Sequence, residues 1–291
     1  MGLENSAQGK VLQKLMTYRL FAADMDGTLL TDKKTFDMAL LRRLIAFMTP
    51  RDMFFAAASG NQYQHLQTTF ADLHDKIDYV AENGAVVVAR GQIIYESLLP
   101  KATIDQLLAA LTSDPIFAGA QIILSGRDHA YMNRVAPEDV AMAKFYYDSL
   151  VVPPNLRAVA ANTPIYKIAL SWRGQDINQQ LDRINHAFPG VRGTSSGRGG
   201  IDVIAKHISK ATGLMKLEEA RQLMPVDVMA FGDNGNDLEM LRHAGCGVAV
   251  QNAIAPVKSA ADVVLEETNN QDAVLRYIQR YLEETYQTTI D

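Results

Sequence analysis

The chain has 291 residues, 48% of them hydrophobic and 21% charged, with a formal net charge of −5. That length and balance support a large buried core and exclude a disordered chain, while the acidic excess excludes the basic stripe that a nucleic-acid partner requires. A single cysteine, Cys246, excludes an intramolecular disulfide framework, suits a reducing cytoplasmic compartment and reads as a core filler in "AGCGVAV".

Residues 1–17 lack the basic-then-apolar layout of a signal peptide and read as a polar leader, although Gly2 with Ser6 in "MGLENS" formally matches a myristoylation pattern. No apolar run is long enough to span a bilayer, so no membrane partner is expected. From residue 19, short apolar runs alternate with helical periodicity: "RLFAAD" then "FDMALLRRLIAFM", and "MFFAAAS" then "NQYQHLQTTFADL". "ENGA", with Asn83 and Gly84, has the chemistry of a turn that starts a hairpin. The middle changes texture: helix "TIDQLLAALTSD", strands "QIILSG" and "HAYMNRV", helix "PEDVAMAKFYYDSL", strand "PIYKIALSW", helix "INQQLDRINHAF" and a glycine-rich hairpin. The βα texture then returns in "VDVMAFGD" and "DLEMLRHAG". The pattern predicts an α/β protein: a Rossmann-like parallel-sheet core of residues 1–97 and 205–291, and an inserted α/β domain of residues 98–204.

Parallel sheets bind ligands beyond the carboxyl ends of their strands. Three such ends carry polar residues: "AADMDGT", "AAASGN" and "AFGDNGND". A parallel sheet would therefore gather Asp24, Asp26, Ser59, Asp233, Asn236 and Asp237 at one edge. Several carboxylates together demand a hard divalent cation, and Mg2+, which favours oxygen ligands and a substrate phosphate, suits them best.

A lone aspartate at a strand end is usually a helix cap or an Asx-turn. Against that, D-x-D-G-T arises by chance in on the order of a few per thousand chains of this length, and a second acidic strand end makes coincidence rarer. The spacing does not fit an EF-hand, because Gly27 falls at the fourth loop position and Leu238 stands where the other loop needs glycine. "GTSSGRGG" is not a P-loop, since no Gly-Lys-Ser/Thr follows.

In order along the chain, "DMDGTLL", "SGN", "HISKATGL" and "GDNGND" resemble the four motifs of the haloacid dehalogenase superfamily, and "ENGA" with "DLEMLRHAGCGVAVQNA" resembles its Cof-type (subclass IIB) sugar-phosphatase branch. The resemblance covers nearly all of residues 19–280. It implies a mobile cap domain, dependence on Mg2+ and an aspartyl-phosphate intermediate. It also implies that Asp24 is the nucleophile and Asp26 the acid and base that moves the proton, with Asp24, Asp233 and the main-chain carbonyl of Asp26 holding the metal. Ser59, Lys210, the N–H groups of Met25 and Gly60 and the amide of Asn236 would bind the phosphoryl oxygens, supported by Gly27, Thr28 and Asp237. Many relatives carry Arg after the Ser-Gly of the second motif; Asn61 stands there in this chain, so recognition that depends on that charge is not expected.

Only about thirty residues separate Asp26 from Ser59, room for one helix and a return strand, so the cap is expected between Ser59 and Lys210. Within it, Arg198 and the segment from Ser125 to His129 read as hairpin and solvated loop; His207 reads as a surface or packing residue, and the aromatic and Met residues of "KFYYDSL" and "AFM" as core. The expected activity is Mg2+-dependent hydrolysis of small phosphorylated metabolites, most naturally sugar phosphates, with no obligate protein partner. A phosphomutase resembling phosphomannomutase and a non-catalytic phospholigand-binding protein are the alternatives.

Overall fold

The computed structural model describes residues 17–133, 135–173, 176–196 and 199–290. Gly2, Ser6 and Arg198 lie outside the described residues. In chain order the elements begin with strand β1 (Leu20–Ala23), helix α1 (Met38–Met48), β2 (Phe54–Ala58), α2 (Tyr63–Phe70), β3 (Asp78–Ala81), β4 (Val86–Ala89) and β5 (Gln92–Glu96). There follow α3 (Lys101–Ser113), β6 (Gln121–Gly126), β7 (Ala130–Met132), α4 (Pro137–Ala143), β8 (Leu150–Val151), α5 (Leu156–Asn162), β9 (Ile165–Ser171) and α6 (Asn178–Ala187). The last stretch holds β10 (Val191–Ser195), β11 (Gly200–Ala205), α7 (Lys210–Arg221), β12 (Val228–Gly232), α8 (Leu238–His243), β13 (Cys246–Ala249), α9 (Ala255–Ala260), β14 (Val263–Val264) and α10 (Ala273–Tyr286).

The chain divides into two compact units: residues up to 57 with 76–78 and those from 218 on, and residues 58–75 with 79–217. In the first unit β1 pairs with β2 on one side and β12 on the other, β12 pairs with β13 and β13 with β14, every pair parallel. Strands buried on both faces read as unbroken apolar runs, and all four residues of β1, LFAA, are fully buried. Asp37 caps α1 by accepting from the Leu40 N–H at 2.8 Å. Leu40, Leu41, Leu44, Ile45 and Met48 form the buried stripe of that helix, each side chain worth about 1.5–3 kcal/mol on full burial. Cys246 is buried on β13, as a core filler should be.

The second unit contains a six-stranded sheet in the order β10-β11-β9-β6-β7-β8, antiparallel except for the β7–β8 pair. From Tyr79 on, β3, β4 and β5 form an antiparallel meander in the same unit, with "ENGA" as the turn between the first two. The predicted glycine-rich hairpin is β10 and β11.

The structure corrects several local expectations. Helix α4 stops at Ala143 instead of running through "KFYYDSL". Aromatic residues lose side-chain freedom in a helix, and Tyr147 leaves the helical path to join a small core with Ile123, Ala130, Met132 and Ala143. Phe145 is 55% exposed, so "KFYYDSL" is only partly core. Ser125 is fully buried within β6 and is not part of a solvated loop. Helix α5 was not anticipated, although its signal was present: Asn155 Oδ1 accepts from the N–H groups of Arg157 at 2.9 Å and Ala158 at 3.3 Å. Among the described residues, no helix is long and apolar enough to cross a membrane.

Candidate active site

Register alone brings the first two acidic turns together. In the parallel β1–β12 pair Ala23 lies opposite Phe231, so the residues that follow, Asp24 and Gly232–Asp233, leave the sheet side by side at the same edge. The Asp24 N–H extends the ladder by donating to the Phe231 carbonyl at 3.0 Å. Beyond it the chain curls back, with Leu29 N–H donating to the Asp24 carbonyl at 3.1 Å and Leu30 N–H to that of Met25 at 2.8 Å. Gly27 permits this curl, because its φ is +86° and a Cβ there would stand 2.7 Å from Asp233 Oδ2. Thr28 Oγ1 donates to Asp233 Oδ1 at 2.7 Å, tying the two turns across 205 positions of sequence.

The turn after β12 is self-supporting. Asp237 Oδ2 accepts from the N–H groups of Asp233 at 3.0 Å and Asn234 at 2.9 Å, and Asp237 is fully buried. Asn236 stands in the same 3-10 turn, Gly235–Asp237, partly buried. Carboxylate oxygens of Asp24, Asp233 and Asp237 lie within 4.8 Å of one another. Like charges at that distance repel by about 3 kcal/mol per pair where the effective dielectric is about 20. The donor set is all hard oxygen, and it fits Mg2+.

Asp26 is placed differently. Its carboxylate does not join that trio; it pairs with the Lys34 ammonium, from a loop residue with φ +60°. Lys34 was missed because a lysine in the polar loop "TDKKTF" carries no periodicity that singles it out. Met25 is fully buried between the two aspartates in sequence.

Ser59, Gly60 and Lys210 belong to the second unit. Ser59 follows β2 directly and is 2% exposed; its N–H donates to the Val80 carbonyl at 2.8 Å. Lys210, buried, opens α7 behind Ser209, which caps the helix reciprocally with Thr212: Ser209 Oγ accepts from Thr212 N–H at 3.2 Å and Thr212 Oγ1 from Ser209 N–H at 2.9 Å. The Glu82–Gly84 turn touches both segments. Asn83 N–H donates to the Ser59 carbonyl at 2.9 Å, and Gly84 packs against the Ser209 carbonyl. "ENGA" is therefore a hairpin start that also braces two of the motifs, a role that turn chemistry alone did not reveal. His207 is exposed, 3.3 Å from Ser97 Oγ through Nε2.

Gly84 has φ +100°, and a Cβ there would lie 2.1 Å from the Ser209 carbonyl oxygen. Gly84→Ala is expected to lower stability by about 2–5 kcal/mol, the sum of a left-handed penalty and a backbone clash. Urea denaturation measures this; a loss below about 1 kcal/mol would contradict the packing described.

The pattern of haloacid dehalogenase-like hydrolases matches residues 21–278. The chain belongs to that family. The 5-amino-6-(5-phospho-D-ribitylamino)uracil phosphatase YbjI of Escherichia coli (strain K12) is 32% identical over 269 residues, 92% of this chain and 97% of that protein. The solved structure of SMU.1108c from Streptococcus mutans UA159 is 30% identical, with a TM-score of 0.84 over 91% of this chain and 99% of its own. The subclass IIB sugar phosphatase BT4131, 21% identical, shares the fold with a TM-score of 0.77 over 90% of this chain and 98% of its own. This haloacid dehalogenase-like protein is a phosphatase.

Proposed function

We propose that this phosphatase hydrolyses phosphate monoesters of small metabolites whose phosphate sits on a sugar or sugar-alcohol chain, through an aspartyl-phosphate on Asp24. The observation that carries the reading is the grouping of Asp24, Asp233 and Asp237 at the carboxyl ends of adjacent parallel strands. The substrate class is supported by the relative at 32% identity, whose named substrate carries its phosphate on a ribityl chain.

The Asp24 carboxylate attacks phosphorus in line, forming a P–O bond as the bond to the leaving oxygen breaks. The leaving oxygen keeps that electron pair and takes a proton from Asp26, departing as the alcohol. Asp26 then removes a proton from water as the water oxygen attacks phosphorus, and the P–O bond to Asp24 breaks to release inorganic phosphate and restore the carboxylate. Asp24, Asp233 and the main-chain carbonyl of Asp26 would hold Mg2+, with Asp237 in support, and the ion would supply positive charge against the phosphoryl oxygens. Ser59, Lys210, Asn236 and the N–H groups of Met25 and Gly60 take the phosphate-binding roles their motifs carry, Gly27 and Thr28 shaping the turn. Residues 98–204 act as a cap that covers the leaving group and excludes water during transfer. We place the reaction in the cytoplasm, where a lone thiol stays reduced.

A phosphate-release screen over sugar phosphates, sugar-alcohol phosphates, nucleotides and pyridoxal phosphate, with Mg2+ present, tests the substrate class. The expected result is a kcat/KM at least about tenfold higher for a phosphorylated sugar or polyol than for any nucleotide. Preference for a nucleotide would overturn the class, and isomerisation without phosphate release would identify a mutase.

A further inference from the structure

The second unit contains a buried charged cluster that the chemistry above does not use. Lys167, on β9, is 2% exposed; Glu82, in the turn after β3, is 1% exposed, and Asp202, on β11, is 4% exposed. The Lys167 ammonium lies 3.2 Å from Glu82 Oε2 and 3.3 Å from Asp202 Oδ2, and it donates its remaining hydrogen bond to the Gly60 carbonyl. An ammonium has three hydrogens, and each has a partner here, so its direction is set and it is not aimed at a ligand. Its partners are held in turn. Ser125 Oγ donates to Glu82 Oε1 at 2.5 Å, and Asn83 Nδ2 donates to Asp202 Oδ2 at 2.7 Å.

Burial by itself disfavours the charged ammonium, but Asp202 and Glu82 outweigh it and hold Lys167 above the ordinary lysine range. Burial pushes the Glu82 carboxyl up, against the pull of Lys167 and Ser125. Glu82 also keeps φ +52°, a left-handed conformation that a non-glycine residue holds only where the surroundings demand it.

The cluster ends on the second motif. Three consecutive carbonyls of that loop accept from it or from its turn: Ser59 from Asn83 N–H at 2.9 Å, Gly60 from Lys167, and Asn61 from Glu82 N–H at 3.0 Å. In a trans peptide the N–H points opposite to the C=O, so each anchored carbonyl fixes the N–H that follows it. The Gly60–Asn61 peptide is the informative one. With its carbonyl on Lys167, its N–H at Asn61 donates to Ser59 Oγ at 3.1 Å. A hydroxyl that accepts on one side directs its own hydrogen elsewhere.

We propose that Lys167 is a positioning residue for phosphoryl transfer: by gripping the Gly60 carbonyl it holds the Asn61 N–H on Ser59 Oγ and so aims the Ser59 hydroxyl as a donor. This rests on the reading of Ser59 as a phosphate-binding residue. It also assigns a reason to the buried pair Glu82 and Asp202, which hold the ammonium in register.

The test is a double-mutant cycle on the full-length protein with Mg2+ and p-nitrophenyl phosphate, after circular dichroism and a thermal melt show each variant folded. Lys167→Gln is expected to lower kcat about 10- to 100-fold with KM changed less than about threefold, the signature of an interaction felt in the transition state. In a Ser59→Ala background the same substitution is expected to cost less than about threefold, because its route of action is already gone. Equal losses in both backgrounds, or an unchanged kcat for Lys167→Gln, overturn the inference. If Lys167→Gln does not fold, Glu82→Gln/Lys167→Gln, which removes one buried charge of each sign, carries the same comparison with the same two outcomes. A wild-type protein that releases no phosphate would overturn the underlying reading of the site; equal losses in an active wild type overturn this inference alone.

Discussion

Asp24→Asn is expected to lower phosphate release by about four orders of magnitude or more in kcat, because an amide oxygen in the place of the carboxylate oxygen is a poor nucleophile toward phosphorus. The fold should survive. The main chain at this position is held by its N–H on Phe231 and its carbonyl under Leu29, neither of which the substitution touches, and the side chain is nearly isosteric. Stability should move in the opposite direction from activity. Removing one of three carboxylates that lie within 4.8 Å relieves repulsion, so the metal-free variant is expected to melt at the same temperature as the wild type or a few degrees higher. Phosphate-release kinetics and a thermal melt without divalent ions check the two halves. Activity within about tenfold of wild type would remove Asp24 from its role, and a large fall in melting temperature would show that the aspartates are not a repelling group.

Chelation is the second large effect. Treatment with EDTA is expected to abolish turnover to within detection, about three orders of magnitude or more, and excess Mg2+ to restore it. The same ion should stabilise the protein independently of chemistry: at a hundred times its Kd, binding to the folded state alone contributes about 2.7 kcal/mol. The melting temperature of the wild type should therefore rise with Mg2+, and that of Asp233→Asn should rise much less. Hydrolysis that persists in EDTA, or an equal Mg2+-induced rise in both proteins, would discard the aspartate trio as a metal site.

Much of this arrangement was legible from residues close together in sequence. The curl of residues 24–30 depends on Gly27 at φ +86° and on hydrogen bonds that span five positions, and the turn of residues 233–237 closes on the Asp237 carboxylate four positions from where it starts. Ser209 with Thr212 likewise announces the start of the helix that Lys210 opens. Local chemistry of this kind appears as motifs because the atoms that satisfy it are covalent near-neighbours. Parallel pairing was also readable, from apolar runs such as LFAA that have no polar face to give to water. Where local preference lost, the reason was packing. The "KFYYDSL" segment has helical periodicity, yet Tyr147 contributes more by entering the core beside Met132 and Ala143 than by continuing the helix.

The amino-acid sequence by itself determined that acidic turns end the strands and how each turn closes, because each is built from residues within a few positions of one another. Only the tertiary structure decided which distant partners steady the loop after β2 and the turn that braces it: Lys167 on the Gly60 carbonyl from 107 positions away, and Asp202 on Asn83 from 119. Those partners meet through strand order and register, and a lysine on a buried strand looks the same in sequence whether its ammonium grips a loop carbonyl or only a distant carboxylate.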